Sequence, residues 1–249
     1  MRPIRMILPP VLAGLALPLA ADPGPLEFFS NSPAGYSSQT SNEAFPVGNG
    51  KLAAMIYGDA MDRLWGPMEP VPEDRLVPLE DDATLEVGGA RYRVLHTPGH
   101  AKHHLALIDP DGGAFVGDAA GILLPGVPLI RPALPPPETD LEAAAASCER
   151  LAGENLARLW LTHFGVVDDV AAHLDAVVRR NAEWGAEVKA GMDAAEDETA
   201  LIRRVRRMED AELDAAGVRG DVRESYKASS DARMTVMGLV RYWLGKGRA

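Results

Sequence analysis

The sequence predicts an α/β fold for the central part of the chain. Four short segments between residues 83 and 118 alternate apolar and polar residues, and they read ATLEV, ARYRVLHT, HLALID and GAFVGD. Gly88-Gly89 separates the first two, and PDGG separates the last two, as is typical of β-hairpins. A helical segment, the strand ARLWLTH and a second helical segment follow. This order of strand pairs, helix, strand and helix indicates layers of sheet and helix.

Four helical regions are predicted after residue 138. Thr139 or Asp140 can cap a helix that runs to about Leu151, and an amphipathic helix extends from about 167 to 189. Apolar residues at helical spacing over 196–216 and 231–244 predict a helical C-terminal region. Their methionines and aromatic residues indicate a packed core or a dimer face.

Composition excludes some classes of function. The 249 residues are 47% hydrophobic and carry a formal net charge of −11, which predicts one large domain or two small ones. An acidic chain argues against general nucleic-acid binding, and RRVRR at 203–207 is interpreted as a solvated helix face. Cys148 is the single cysteine, so no intrachain disulfide can form, and it is predicted to be a small buried residue.

The N-terminus has the layout of a secretory signal. Arg2 and Arg5 precede an apolar run from Met6 to Ala21, and a polar stretch containing proline follows. The run is short and interrupted by proline, so no stable membrane anchor is expected. We therefore expect a signal-peptide-like segment at 1–21 and a secreted or periplasmic protein. A cytoplasmic protein with a buried or disordered apolar start is the alternative.

Histidines are concentrated at the end of a predicted strand. In TPGHAKHH, Pro98-Gly99 forces a turn, which places His100 where a strand meets a loop. Asp118 and His163 also follow predicted strands. Two imidazoles and a carboxylate at three strand ends suit Zn²⁺ or a similar divalent metal. Each histidine taken alone is more simply explained as a hydrogen-bonded structural residue.

These segments resemble motifs of the metallo-β-lactamase superfamily of hydrolases. HTPGHAKHHLALID, FVGDAAG and LWLTHFG are similar in order and spacing to its Thr-Pro-Gly-His, Gly-Asp and final histidine motifs. The resemblance covers residues 59–190. It implies the C-terminal half of a metallo-β-lactamase-like αββα sandwich, followed by a helical C-terminal extension at 191–249.

The resemblance also implies a ligand set. His100 would bind a first metal ion, Asp118 would bridge two ions, and His163 would bind the second. His104 would orient the site as a second-shell residue without binding metal directly. Zn²⁺, Mn²⁺ or iron would then activate water against an ester, thioester, lactone or phosphoester. No side chain is assigned a catalytic role.

The remaining histidines are assigned no part in this site. The resemblance gives no role to His96 or His103, and His173 is interpreted as structural or exposed.

Half of the expected metal site is missing from the sequence. None of the six histidines forms the superfamily's His-x-His-x-Asp-His motif, and none precedes His96. Each ion would keep only two protein ligands, so we expect weak binding and weak or absent activity on a small-molecule substrate.

The alternative is a non-catalytic, truncated or fused scaffold that forms homo-oligomers. It would self-associate through its C-terminal helices and an exposed apolar sheet face. That face is predicted to comprise Tyr92, Val94, Leu105, Leu107 and Val116.

A second resemblance concerns the N-terminal segment at 22–58. NSPAGYSSQTSNEAFPVGNGKLAAMIYG, within residues 31–58, resembles the start of secreted family 95 glycoside hydrolases of the α-L-fucosidase kind. It carries none of that family's catalytic acids and implies no glycosidase activity. A natural fusion, a mispredicted reading frame and an artificial sequence all remain open as the origin of the chain.

Overall fold

A computed structural model of the chain describes residues 4–7, 76–163, 165–229 and 231–246. The chain divides into two compact units, of which the first comprises Met1–Glu80 with Leu85–Ala90 and the second comprises Asp81–Thr84 with Arg91–Ala249. The glycoside-hydrolase-like segment and the beginning of the predicted 59–190 region lie outside the described residues, as does most of the signal-like segment.

Short strands are described in the N-terminal part of the chain. Strand β1 (Ile4–Ile7) pairs antiparallel with β2 (Leu76–Leu79). Strand β3 (Thr84–Val87) is followed by Gly88 and Gly89, whose φ angles are 58° and 80°. Two successive residues with positive φ are what a tight type I′ turn requires, so the turn predicted at Gly88-Gly89 is present.

The sheet of the second unit positions the candidate site. Its strands are β4 (Ala90–His96), β5 (Leu105–Ile108), β6 (Gly113–Gly117), β7 (Arg158–Leu161) and β8 (Val166–Val167), side by side in this order. Strand β5 pairs antiparallel with both β4 and β6, whereas β6 and β7 pair in parallel. Strands β4, β6 and β7 therefore run in one direction, and their carboxyl ends meet at the same edge.

The described residues include five helices: α1 (Leu141–Ala152) lies between β6 and β7, and α2 (Val170–Asp193), α3 (Glu198–Ala215), α4 (Gly220–Ser229) and α5 (Ala232–Lys246) follow β8. Of the two predicted candidates, Asp140 rather than Thr139 caps α1, since its side chain accepts a hydrogen bond of 3.0 Å from the Ala143 amide. Helix α2 begins later than predicted because Asp169 caps it, accepting from the Ala172 amide. Within the described residues, no helix combines the length and the apolar character that crossing a membrane requires.

One face of the sheet packs against α1 and α2. Its buried residues alternate along the strands, and the core also contains Cys148 at 2% exposure, as predicted. The core residues from the strands are Leu95, Ala106, Ala114, Val116, Leu159, Leu161 and Val167. The apolar alternation of the sequence therefore produces a core between sheet and helices.

The opposite face carries a row of apolar side chains in register, Val94, Leu107, Phe115 and Trp160. Phe115 and Trp160 stack with ring centroids 4.6 Å apart. The predicted exposed face is wrong in two positions. Val116 lies on the helix-covered face, and Val94 is fully buried.

A second core joins the C-terminal helices. Trp184 of α2, Val205 of α3 and Leu239 of α5 pack together with Leu134 from the loop that precedes α1. The apolar spacing of the C-terminal region thus reflects core packing. The chain has the predicted mixed α/β fold, with a sheet, flanking helices and a helical C-terminal region.

Candidate metal centre

The Thr-Pro-Gly-His turn is fixed against helix α1. The Pro98 carbonyl accepts a hydrogen bond of 2.6 Å from the Ser147 hydroxyl, and the Gly99 carbonyl accepts one of 2.9 Å from the Asp140 amide. Gly99 has a φ of 136°, and a Cβ there would lie 2.5 Å from the backbone of Ala144. Glycine is therefore required at this position, and the turn presents His100 at the carboxyl end of β4.

The Gly-Asp motif brings a second strand end close to the turn. Gly117 has a φ of 53°, and a Cβ at this residue would lie 2.5 Å from Nε2 of His104. The missing side chain lets the His104 ring pack directly against the backbone. The following residue, Asp118, consequently lies beside the histidines of the turn.

The structure brings together the three residues predicted to be metal ligands. His100 Nε2 lies 3.6 Å from Asp118 Oδ2, and His163 Nε2 lies 3.5 Å from Asp118 Oδ1. The three side chains retain 23–32% of their exposure, so the cluster is accessible from solvent. Because β4, β6 and β7 run in one direction, residues that follow them converge at this edge.

A backbone carbonyl fixes the ring of His100. Nδ1 of His100 lies 2.9 Å from the Ala133 carbonyl oxygen, which can only accept, so Nδ1 carries the proton and donates. In the neutral ring, Nε2 then carries a lone pair and lies 3.6 Å from Asp118 Oδ2. Two electron-rich atoms in this arrangement are stabilised by a cation between them, which can be a proton or a metal ion.

His104 uses both ring nitrogens for hydrogen bonds. Nε2 accepts from the Asp118 amide at 3.1 Å, and Nδ1 lies 2.8 Å from the Thr97 hydroxyl. Burial and the neighbouring His100 lower the pKa of His104 to about 4, so the ring is neutral near pH 7. No lone pair remains for a metal ion, and the ring instead holds the backbone of Asp118.

The charge of Asp118 is stabilised by the histidines. Burial by itself raises the pKa of this carboxyl group, but His163, His100 and His104 together lower it more strongly, to about 2. Asp118 Oδ1 is inaccessible to solvent and has no hydrogen-bond partner. The 3.5 Å contact with His163 is too long for a hydrogen bond, so this oxygen has an unused lone pair.

These residues fit a divalent cation in donor chemistry but not in donor number. Two imidazole nitrogens and a carboxylate are typical zinc ligands, and the unused lone pair of Asp118 Oδ1 is a vacant donor. Among the residues that the structure describes, however, no group of three or more His, Cys, Asp or Glu side chains is arranged to hold one ion. The contacts are two donor pairs that share Asp118.

The other histidines have separate environments. His103 Nδ1 lies 3.8 Å from Glu138 Oε2, and burial lowers the pKa of His103 despite that carboxylate. His173 is 7% exposed, with Nε2 2.9 Å from the Ala120 carbonyl oxygen, which agrees with a structural residue. His96 ends β4, where its backbone amide donates to Asp81.

The Ala133 carbonyl is a functional group that sequence reasoning missed. It lies in the proline-rich loop between β6 and α1, 33 residues from His100. Every residue has a backbone carbonyl, so no pattern of residue types could have identified this one.

Comparison with known proteins supports the resemblance over part of the chain. A stretch of 84 residues is 33% identical to a metallo-β-lactamase fold-containing protein of Sulfurisphaera tokodaii, covering 34% of this chain and 31% of that protein. Over this stretch, the chain is similar to that protein. It spans about a third of the length of the curated relative it matches. No protein-family model matches the chain.

Solved structures of metallo-β-lactamase proteins are also similar. An archaeal superfamily protein from Sulfolobus tokodaii has 26% identity and a TM-score of 0.42, covering 52% of this chain and 48% of its own. A family protein from Thermus thermophilus has 20% identity and a TM-score of 0.46, covering 86% of this chain and 71% of its own.

Proposed function

We propose that the chain is a metal-dependent hydrolase of the metallo-β-lactamase superfamily whose site is reduced to His100, Asp118 and His163. The substrate class is an ester, thioester, lactone or phosphoester. The observation that carries this proposal is the contact of both Asp118 oxygens with imidazole nitrogens, at 3.6 and 3.5 Å, at one edge of the sheet.

The surrounding contacts orient two of the three residues, His100 and Asp118, for binding a cation. The Ala133 carbonyl orients the His100 ring, and His104 holds the Asp118 backbone. A histidine ligand commonly donates its second ring N–H to a carbonyl, which fixes the tautomer and increases the basicity of the binding nitrogen. A divalent ion held here would lower the pKa of water and polarise the scissile group.

The number of donors limits the expected activity. Structural zinc sites use four protein ligands, and catalytic sites usually use three. His100 with Asp118 and His163 with Asp118 supply two donors each. We therefore propose weak occupancy by Zn²⁺, Mn²⁺ or iron and slow turnover at most.

Metal content is the first test of this proposal. Purified, monodisperse protein is dialysed to equilibrium against Zn²⁺ or Mn²⁺, and the metal on both sides of the membrane is measured by elemental analysis, so that weakly bound metal is not lost. We expect bound metal in the wild type and its loss in His100→Ala and His163→Ala. His96→Ala is the matched control, because His96 also lies at the end of strand β4 and has no proposed role as a ligand.

Turnover separates the hydrolase from the scaffold. A hydrolase cleaves a model ester or thioester, and this activity disappears with EDTA and returns with added metal. Absence of metal from the wild type, or an equal metal content in all variants, would refute the proposed function. Metal-free protein that forms oligomers with increasing concentration would instead favour the scaffold.

A further inference from the structure

A short backbone bridge links the segment that contains Ala133, whose carbonyl contacts His100, to the segment that contains Asp118. The Ile122 amide donates to the Arg131 carbonyl, and the Arg131 amide donates to the Ile122 carbonyl, both at 2.8 Å. Ile122 directly follows the turn in which the Gly121 amide donates to the Asp118 carbonyl at 3.1 Å. Arg131 is therefore the residue at which both sides of the candidate site are joined.

Only one residue separates Arg131 from Ala133. That residue is Pro132, which is buried and whose ring restricts φ. Because the linkage is short and stiff, displacement of Arg131 also displaces the Ala133 carbonyl. The position of that carbonyl decides which nitrogen of His100 carries the proton.

The side chain of Arg131 is anchored in the C-terminal helices. It is fully buried and forms an ion pair with Glu209 of α3, which is 2% exposed. Its guanidinium carbon lies 5.4 Å from the ring centroid of Trp184 in α2 and 5.3 Å from that of Tyr226 in α4. Three helices thus hold one loop residue through its charge.

Helix residues also contact backbone carbonyls of the same loop on both sides of Arg131. Arg180 of α2 donates to the Ile130 carbonyl at 3.2 Å. Gly238 of α5 lies so close to the loop that a Cβ there would be 2.2 Å from the Leu134 carbonyl oxygen. Contacts with helices α2 and α5 therefore fix the position of the loop.

We propose that Arg131 and Glu209 are positioning residues for His100. The buried ion pair fixes the Ile122–Arg131 bridge, and the bridge fixes the Ala133 carbonyl that holds His100 in its Nδ1-protonated tautomer. This inference rests on the proposed function insofar as His100 binds metal, but the effect on the ring itself is independent of metal. It assigns the C-terminal helices a role in the site.

The test compares full-length wild type with Glu209→Gln, which removes the carboxylate charge and keeps the shape of the side chain. Glu187→Gln is the matched control, since Glu187 of α2 forms an ion pair of 2.6 Å with Arg204 of α3. This ion pair does not involve the loop that contains Arg131. The His100 tautomer is measured in chelator-treated protein by long-range proton–nitrogen NMR, with His100→Gln for assignment. Amide hydrogen exchange reports on Ile122 and Arg131.

We expect Glu209→Gln to convert the single His100 tautomer into a mixture. We also expect exchange of the Ile122 and Arg131 amides to accelerate about tenfold or more, because the bridge opens locally. Zn²⁺ affinity should fall by roughly 10–100-fold, the usual effect of losing a group that orients a ligand. Glu187→Gln should match the wild type in all three measurements.

A second variant keeps the inference testable if Glu209→Gln does not fold. Arg131→Met combined with Glu209→Leu replaces the pair by apolar side chains, which buried sites often accept. A folded protein of either kind with one His100 tautomer and wild-type amide exchange would overturn the inference. A tautomer change in protein whose wild type binds no metal would retain the inference and reject the proposed function.

Discussion

Replacing Gly117 by alanine tests whether the Gly-Asp motif works by close approach to His104. The new Cβ would lie 2.5 Å from Nε2 of a ring whose nitrogens are both engaged, so His104 has to move. Its displacement leaves the Asp118 amide without its acceptor. The substitution therefore combines backbone strain with the loss of a partly buried hydrogen bond.

The two contributions can be added approximately. A non-glycine residue at the positive φ of Gly117 costs about 1–2 kcal/mol. An unsatisfied buried donor costs about 1–3 kcal/mol. The free energy of unfolding should thus fall by about 2–5 kcal/mol, which lowers Tm by roughly 4–20 °C in a protein of this size.

Gly112→Ala is the matched control for the backbone contribution. Gly112 has a φ of 84°, and a Cβ at this residue would have no atom within 4 Å. We expect only the strain of about 1–2 kcal/mol, or a decrease in Tm of roughly 2–8 °C. Both variants are followed by circular dichroism on heating. Equal Tm values for the two variants would refute the close-approach argument.

Three further predictions concern single side chains. Cys148 should not react with Ellman's reagent at pH 8 until the protein unfolds, because burial raises the pKa of its thiol to about 12; rapid reaction of folded protein would contradict this. Burial lowers the pKa of His173 below 6.5 in the folded state, so the unfolded state takes up more protons as pH falls. The free energy of unfolding should therefore decrease below pH 6.5 in urea titrations, and less steeply in His173→Gln. Asp140→Ala should cost about 1 kcal/mol in the same titrations, since the Ala143 amide loses its cap, and an unchanged midpoint would show that the cap is dispensable.

The incomplete donor set is the main chemical feature of the candidate site. The Ala133 carbonyl orients the His100 ring and His104 holds the Asp118 backbone, as groups around the ligands of a metal ion commonly do. Orientation reduces the cost of binding but adds no donors. Measuring the metal affinity together with the His100 tautomer will therefore distinguish a site that is only oriented from a site that also binds metal.

The sequence by itself determined the local structure of the region from residue 83 to residue 163. Period-two alternation predicted the strands, Gly88-Gly89 predicted a turn, and the pair Thr139 and Asp140 predicted the start of α1, because each depends on residues that are neighbours in the chain. The histidine and aspartate candidates were also found in the sequence, since their residue types and order form a pattern. Alternation could not decide which face the helices cover, and Val116 was assigned to the wrong one.

Only the tertiary structure decided how the candidate residues are held. The parallel pairing of β6 with β7 brings Asp118 and His163 together across 45 positions of sequence. The Ala133 carbonyl and the Arg131–Glu209 ion pair join the site to the C-terminal helices. Such contacts form between segments that are distant in the chain, and their geometry depends on how whole elements pack. No local pattern of residue types carries that information.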